Sequence, residues 1–396
     1  MKIRAKILVA VSMLSWIVLA TPIFADDVTL TGTLSFGTLD GSAQDHDGAV
    51  NGVFTVNDGD LVIGGTVQCN DDPPLSLNAG ACPIAINVSG DLIVEAGGGI
   101  FAENRRGGGK GGNISLTVGG NLILRGPSGA LSGAVVSSGR TTDSAVAAGN
   151  ITFTVQGNVE LEAGSTVAAS TPNGPSGTIG VTADGTVAVA GLVASGPSRQ
   201  VLGTKLTGKV LNGGSSNQAG GAIVIRSGSP GPGIRVEGTG VIVSQGESPG
   251  SQLVLLEGCG LEIRGLVASV LKQNGPSQVV LRSGESLLID GRDLGAAAPN
   301  LGRLGRVRAD GTEGGSAGYM VDLFTQGDIQ VLGPNPASST LFAVSSSPGT
   351  QAQRSGGTIT SISLTFAGSV GIPCSKRKPA YFFNRLGSFN SKPRIS

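Results

Sequence analysis

The chain has 396 residues, with 27 basic and 27 acidic side chains, 67 glycines, 39% hydrophobic and only 4% aromatic residues. So much glycine could signal disorder, but regularly placed Ile, Val and Leu supply material for a core and exclude that class. The charge is uneven: Lys2, Arg4 and Lys6 at the start and Lys376, Arg377, Lys378, Arg385, Lys392 and Arg394 at the end hold nine basic groups without an acid among them, which leaves 18 basic against 27 acidic residues in the body. That acidic balance argues against a nucleic-acid partner, because phosphate binding needs a basic footprint.

Residues 1–25 read as a secretory signal peptide. Three basic residues precede an apolar run from Ile7 to Leu19, and the small Ala25 offers a cleavage point before Asp26. The run is shorter than the roughly 20 residues a spanning helix needs, and no second one follows, so no integral membrane segment is expected after cleavage. The expected location is secreted or on the outer cell surface. Residues 26–51 read as N-terminal capping strands. They hold the single histidine, His46, between Asp45 and Asp47. Without a second His or a Cys pair it reads as a solvated loop residue, and no metal or cofactor is expected.

Residues 52–373 carry a repeat. A Gly-containing turn followed by a polar residue and then aliphatic-x-aliphatic recurs ten times, with first aliphatics at Leu61, Leu92, Leu122, Val159, Val187, Ile234, Leu261, Leu287, Ile329 and Val370. The shortest spacings are 26 to 31 residues, and units of that length made of alternating short strands are the signature of a β-solenoid. The predicted fold is all-β, a right-handed parallel β-helix of about ten coils. Each coil has three strands, of the kinds Gly112 to Val118, Leu122 to Leu124 and Val167 to Ala169, with alternate residues inward.

Turn glycines 59, 90, 120, 157, 185, 327 and 368 precede Asp60, Asp91, Asn121, Asn158, Thr186, Asp328 and Ser369. Positive φ at the glycine and a hydrogen bond from the polar residue to the turn backbone are the expected reasons. Charged residues align too. Glu95, Arg125 and Glu162 occupy one outward column, and Glu237, Arg264 and Asp290 another, so each is expected to form an ion-pair ladder. That reading also removes Glu160 and Glu162 as a glycosidase acid pair.

Insertions fall between the third strand of one coil and the first of the next, at Asn104 to Gly111, Ser138 to Ala148, Ser170 to Ser176, Ser195 to Gly220 and Ala296 to Gly318. Such loops would line one edge of the rod, either as a binding surface or simply where insertions are tolerated. Their charged residues Arg105, Arg106, Lys110, Arg140, Arg199 and Lys205 are the candidate contacts, and a glycan or a host or cell-surface macromolecule is the candidate partner. Cys69 and Cys82 bracket the first of these corners and are expected to form a disulfide. Cys259 takes the place of a turn glycine and Cys374 follows the last strand about three coils away, so both are expected to be free thiols.

No nucleophile elbow, phosphate loop or HExxH motif occurs. The best catalytic-looking cluster is Asp290, Arg292, Arg306, Arg308 and Asp310, with Asp293 and Arg303 beside it. Pectate-lyase-like enzymes, which are parallel β-helices, use calcium held by carboxylates and an Arg or Lys base. This chain is similar to them in coil architecture only, and a solvated ion-pair network is the simpler reading of the cluster. Residues 374–396 leave the repeat as a basic tail containing Phe382, Phe383 and Phe389.

The segments Gly111-Gly112-Asn113-Ile114-Ser115-Leu116-Thr117-Val118-Gly119-Gly120-Asn121-Leu122 and Gly149-Asn150-Ile151-Thr152-Phe153-Thr154-Val155-Gln156-Gly157-Asn158-Val159 resemble the coils of secreted bacterial β-helical adhesins of the filamentous-haemagglutinin and autotransporter-passenger type. Similar units run from Gly52 to Ile372. The resemblance implies the fold and a secreted or surface adhesive rod, and it implies no particular ligand. The chain departs from that family in showing no evident secretion domain, translocator barrel or sorting anchor. The alternative expectation is a polysaccharide lyase or hydrolase of the pectate-lyase-like type.

Overall fold

The computed structural model describes residues 27–36, 53–69, 81, 83–103, 110–139, 146–171, 174–196, 219–246, 252–271, 277–290, 306–311, 319–325, 327–332 and 341–345, mostly as backbone beyond 306. Residues 1–25, His46, Val370 and the basic tail lie outside the described residues. All regular structure among the described residues is strand, in three parallel sheets of nine, ten and ten strands. Each coil contributes one strand to each sheet in turn. Sheet 1 holds strands such as Ile114–Val118, sheet 2 strands such as Leu122–Leu124, and sheet 3 strands such as Val135–Ser137. The fold is a right-handed parallel β-helix, the hand that parallel crossovers take.

The strands are short and β-branched, and their inward positions stack in columns. In sheet 2, Leu61, Leu92, Leu122, Val159, Val187, Ile234, Leu261, Leu287 and Ile329 are in direct register. Nine of the ten aliphatics in the predicted alignment are therefore equivalent, and Val28 extends the column one coil earlier. Val28–Leu30 and Thr33–Phe36, placed among the capping strands, stack as ordinary members of sheets 2 and 3. In sheet 1 the aromatic rings of Phe54 and Phe153 join a column with Ile86, Leu116 and Val181. All of these except the partly buried Val28 and Ile329 are essentially inaccessible to water. Isolated coils could not bury these side chains, so the core exists only as a stack.

The turn between sheets 1 and 2 is the most regular corner, occupying residues 119–121, 156–158 and 184–186 in successive coils. Its polar residues bond up the rod. The backbone N–H of Asp91 donates to Asp60 Oδ1 (2.7 Å), that of Asn121 to Asp91 Oδ1 (2.6 Å), that of Asn158 to Asn121 Oδ1 (2.9 Å) and that of Thr186 to Asn158 Oδ1 (2.8 Å). The expected bond within each turn is thus replaced by a ladder between coils. The reason for the adjacent glycines also differs from expectation. Among the described glycines of this column Gly59 alone has positive φ, at 125°. At Gly157, by contrast, a Cβ would sit 2.6 Å from both Asn121 Oδ1 and the Gly120 carbonyl oxygen. Glycine is required there because one turn nests directly on another.

Cys69 and Cys259 are fully buried, and both are disulfide-bonded. Cys259 is therefore not the free thiol its position suggested. Cys82 and Cys374 lie outside the described residues.

Candidate functional site: the loop edge and its charged neighbours

Insertions leave the rod at the corner between sheets 3 and 1. A column of small residues, Ala102, Ser138, Ala169, Ser195, Ser244 and Ser269, runs at or near the C-terminal ends of six successive sheet 3 strands. Backbone bonds pinch the loop bases: Gly112 N–H donates to the Ala102 carbonyl (2.9 Å), Gly149 to Ser138 (2.9 Å) and Gly177 to Ala169 (3.1 Å). The hydroxyls reinforce the seam. Ser138 Oγ donates to the Gly149 carbonyl (2.6 Å), Ser195 Oγ to Gly177 (2.7 Å), Ser244 Oγ to Gly221 (2.6 Å) and Ser269 Oγ to Gln252 (3.0 Å). Ser195 Oγ also accepts from Gly221 N–H at 3.0 Å. Ser138 thus donates to the backbone that closes its own loop, whereas Ser195, Ser244 and Ser269 donate to the base of the preceding coil's loop, and each buried hydroxyl is satisfied.

This seam was missed in the sequence, although its signal is present: a serine closes Val-Val-Ser-Ser at 135–138, Val-Ala-Ser at 193–195 and Val-Ser at 243–244. It gives the insertions a rigid base on one line. Of the candidate contacts, Lys110 is described, exposed, and accepts a bond from Ala81 N–H through its backbone carbonyl (2.9 Å). Arg105, Arg106, Arg140, Arg199 and Lys205 lie outside the described residues.

The insertions are less confined than the sequence suggests. Ala296 to Gly318 is interrupted by the sheet 3 strand Arg306–Gly311, so its first part joins sheet 2 to sheet 3. Another excursion of that kind lies between Leu122–Leu124 and Val135–Ser137. It carries Gly129 at φ 61° and Leu131, the one large apolar side chain well exposed among the described residues, at 55%.

The candidate catalytic cluster is spread over two sheets. Asp290 ends the sheet 2 strand Leu287–Asp290 and is buried, and Arg306, Arg308 and Asp310 belong to the sheet 3 strand Arg306–Gly311. Arg292, Asp293 and Arg303 lie outside the described residues. No group of three or more His, Cys, Asp or Glu among the described residues could hold a metal.

The first charged column forms one half of the expected ladder, the pair Arg125–Glu162, and no ion pair between Glu95 and Arg125 is seen among the described residues. Arg125 Nη1 meets Glu162 Oε1 at 2.6 Å, and Glu162 Oε2 accepts from Gly126 N–H at 2.7 Å. Partial burial raises the Glu162 pKa, but the Gly126 bond, the Arg125 bond and the Arg125 charge outweigh it and hold this carboxyl below the ordinary range. Glu160 points outward on the same coil and is exposed.

The second column is in register but pairs differently. Glu237, Arg264 and Asp290 follow the aligned Val236, Ile263 and Ile289, yet Arg264 meets Glu262, two residues back on its own coil. Arg235 bridges Glu237 (3.6 Å) and Glu262 (3.3 Å). Arg264 reaches along its own coil, and Arg235 reaches both along its own coil and across to Glu262, its partner in register, so position in the predicted column alone does not choose the partner. A third ladder, not anticipated, crosses sheet 1: Arg226 pairs with Glu257 at 3.1 Å, Arg282 is next in register, and its guanidinium lies 5.6 Å from the Phe324 ring centre.

No protein-family profile, curated protein or solved structure matches this chain.

Proposed function

We propose that the protein is a secreted or cell-surface rod of adhesin type, which meets a glycan or surface macromolecule through the loops at the corner of sheets 3 and 1. The observation that carries this reading is the division of labour between corners. The turn between sheets 1 and 2 is held to a few residues by nested glycines and the Asx ladder. The opposite seam is built to let chain out: pinched, hydroxyl-lined bases carry loops of very different length on one line. A rigid scaffold with variable loops along one edge is the arrangement solenoids use for recognition. Further support comes from the basic residues placed in those loops, Arg105, Arg106, Lys110, Arg140, Arg199 and Lys205, on an otherwise acidic body. That contrast favours an anionic glycan among the possible partners.

The test is surface binding of the purified full chain to immobilised neutral, uronic-acid and sulfated polysaccharides. Binding of the acidic polymers is expected, with loss when Arg105, Arg106, Arg140 and Arg199 are changed together to Ser and the circular dichroism spectrum is retained. Binding undiminished in that variant would move the contact surface elsewhere. Release of new unsaturated or reducing ends, abolished by Arg306→Ala, would replace this reading with a polysaccharide-cleaving one.

A further inference from the structure

We infer that the outer face of sheet 1, on the strands Ile114–Val118, Ile151–Val155 and Ile179–Ala183, binds the surface of ice by ordering water on a grid of hydroxyls. Thr117, Thr154 and Thr182 form one outward column, and Ser115 and Thr152 the column beside it. All five are exposed. At the start of the same strands Asn113 Oδ1 accepts from Asn150 N–H (2.9 Å) and Asn150 Oδ1 from Thr178 N–H (2.8 Å), which pins one coil on the next at the margin of the grid. Among the described residues none of the five hydroxyls bonds to a protein group. The serine seam is the opposite case, since Ser138, Ser195, Ser244 and Ser269 each donate to a backbone carbonyl. The hydrogen-bonding capacity of the outer grid is therefore turned to water.

The spacing suits a tetrahedral water network. Hydrogen bonds of about 2.8 Å that meet at water's tetrahedral angle join partners about 4.6 Å apart, the second-neighbour distance of ice. Hydroxyls on successive coils are about 4.8 Å apart, so one water bridges them with little distortion. Alternate residues along a parallel strand are about 6.6 Å apart, beyond the roughly 5.6 Å that two such bonds can span. The two columns thus frame a trough, in which bridging waters repeat with the coils. Threonine is stiff at χ1, so the hydroxyl directions are restricted before anything binds.

The chemistry of the face excludes other partners. From Val53–Val56 to Ile179–Ala183, five successive sheet 1 strands present no ionisable and no aromatic side chain outward. Charges bound the face instead, with Asp184 in the turn and Arg226 one coil beyond Thr182. A charged polymer or mineral needs opposite charge, and a sugar chain needs rings to stack on. A single small molecule needs a cleft, which an open sheet face does not provide. A neutral, periodic lattice of hydrogen-bonding groups fits what is left, and ice is the one whose spacing the coils reproduce. This face is separate from the loop edge proposed to bind glycans.

The test is nanolitre osmometry of the purified full chain against a single ice crystal, with crystal shape recorded below the melting point. Thermal hysteresis that rises with protein concentration, and faceted crystals, are expected. Thr154→Tyr should lose most of the hysteresis with the circular dichroism spectrum and urea midpoint retained, and Thr154→Lys serves in its place if the tyrosine lowers that midpoint. Glu160→Lys, outward on sheet 2, should keep it. The loop variant with four arginines changed to Ser should keep it too, so that this inference and the glycan reading fail separately. A folded wild type that neither depresses the freezing point below the melting point nor shapes the crystal would overturn the inference. So would full hysteresis in Thr154→Lys, or an equal loss in Glu160→Lys.

Discussion

At the scale of single residues, inward and outward positions differ sharply in what they tolerate. Val159 lies between Leu122 and Val187 with 1% of its surface exposed. Val159→Asp would bury a carboxylate without a partner, at a cost of several kcal/mol, and should unfold the chain or lower its urea midpoint severely. Glu162→Ala should cost at most about 1 kcal/mol, because its ion pair is partly exposed. The reverse order of urea midpoints would show that the columns face the other way. The pH dependence follows from the depressed Glu162 carboxyl. The unfolded state binds this proton more readily than the folded state, so the contribution is complete above the unfolded pKa and is lost as pH falls through the folded one. Urea titrations of the wild type and Glu162→Gln should therefore differ at neutral pH and converge in acid below the ordinary carboxylate range.

At the scale of the element, the corners are held by devices that read through from coil to coil. Asn121 accepts bonds from the backbone and side-chain amides of Asn158 while donating two to Asp91. Asn121→Ala removes the link to Asn158 and the side-chain bond to Asp91 but keeps its own backbone N–H on Asp91, for an expected loss of about 1 kcal/mol from this partly exposed ladder. Ser195→Ala leaves the buried Gly177 carbonyl and the buried Gly221 N–H without their shared hydroxyl, an expected loss of about 1–3 kcal/mol. Hydrogen exchange adds a second readout, since the Gly221 amide should lose protection in Ser195→Ala and keep it in Asn121→Ala. Equal protection in both variants would mean that the seam closes without its serine.

At the scale of the whole molecule, the rod behaves as a nearest-neighbour stack, and a coil should be removable. Deleting residues 151–178 would bring Ile179–Ala183 onto Ile114–Val118, Val187 onto Leu122 and Val193 onto Val136, each an apolar pair with the alternation preserved. The shortened chain is expected to keep its β-sheet circular dichroism and to lose about 4.8 Å of length in small-angle scattering. A collapsed or unfolded product would show that the coils are not interchangeable. Arg125 loses Glu162 in this deletion, a change small beside the loss of one coil interface.

The sequence by itself determined the solenoid, its inward columns and its coil boundaries, because period-two alternation and a recurring Gly-polar-aliphatic turn are local patterns imposed by stacking. Leu61 to Ile329 could be aligned from those patterns alone, and the structure places them in register. Lys110 as an exposed residue of the loop edge was legible for the same reason, since insertions interrupt the period visibly. The tertiary structure decided which partner each polar group chose. Glu262 rather than Asp290 answers Arg264 because a long side chain reaches beyond its own column. Asn121 bonds the next coil rather than its own turn, and Gly157 is required by a neighbouring turn 37 residues away in the chain rather than by its own φ. Such choices turn on distances between coils, which the spacing of residues along one coil does not encode.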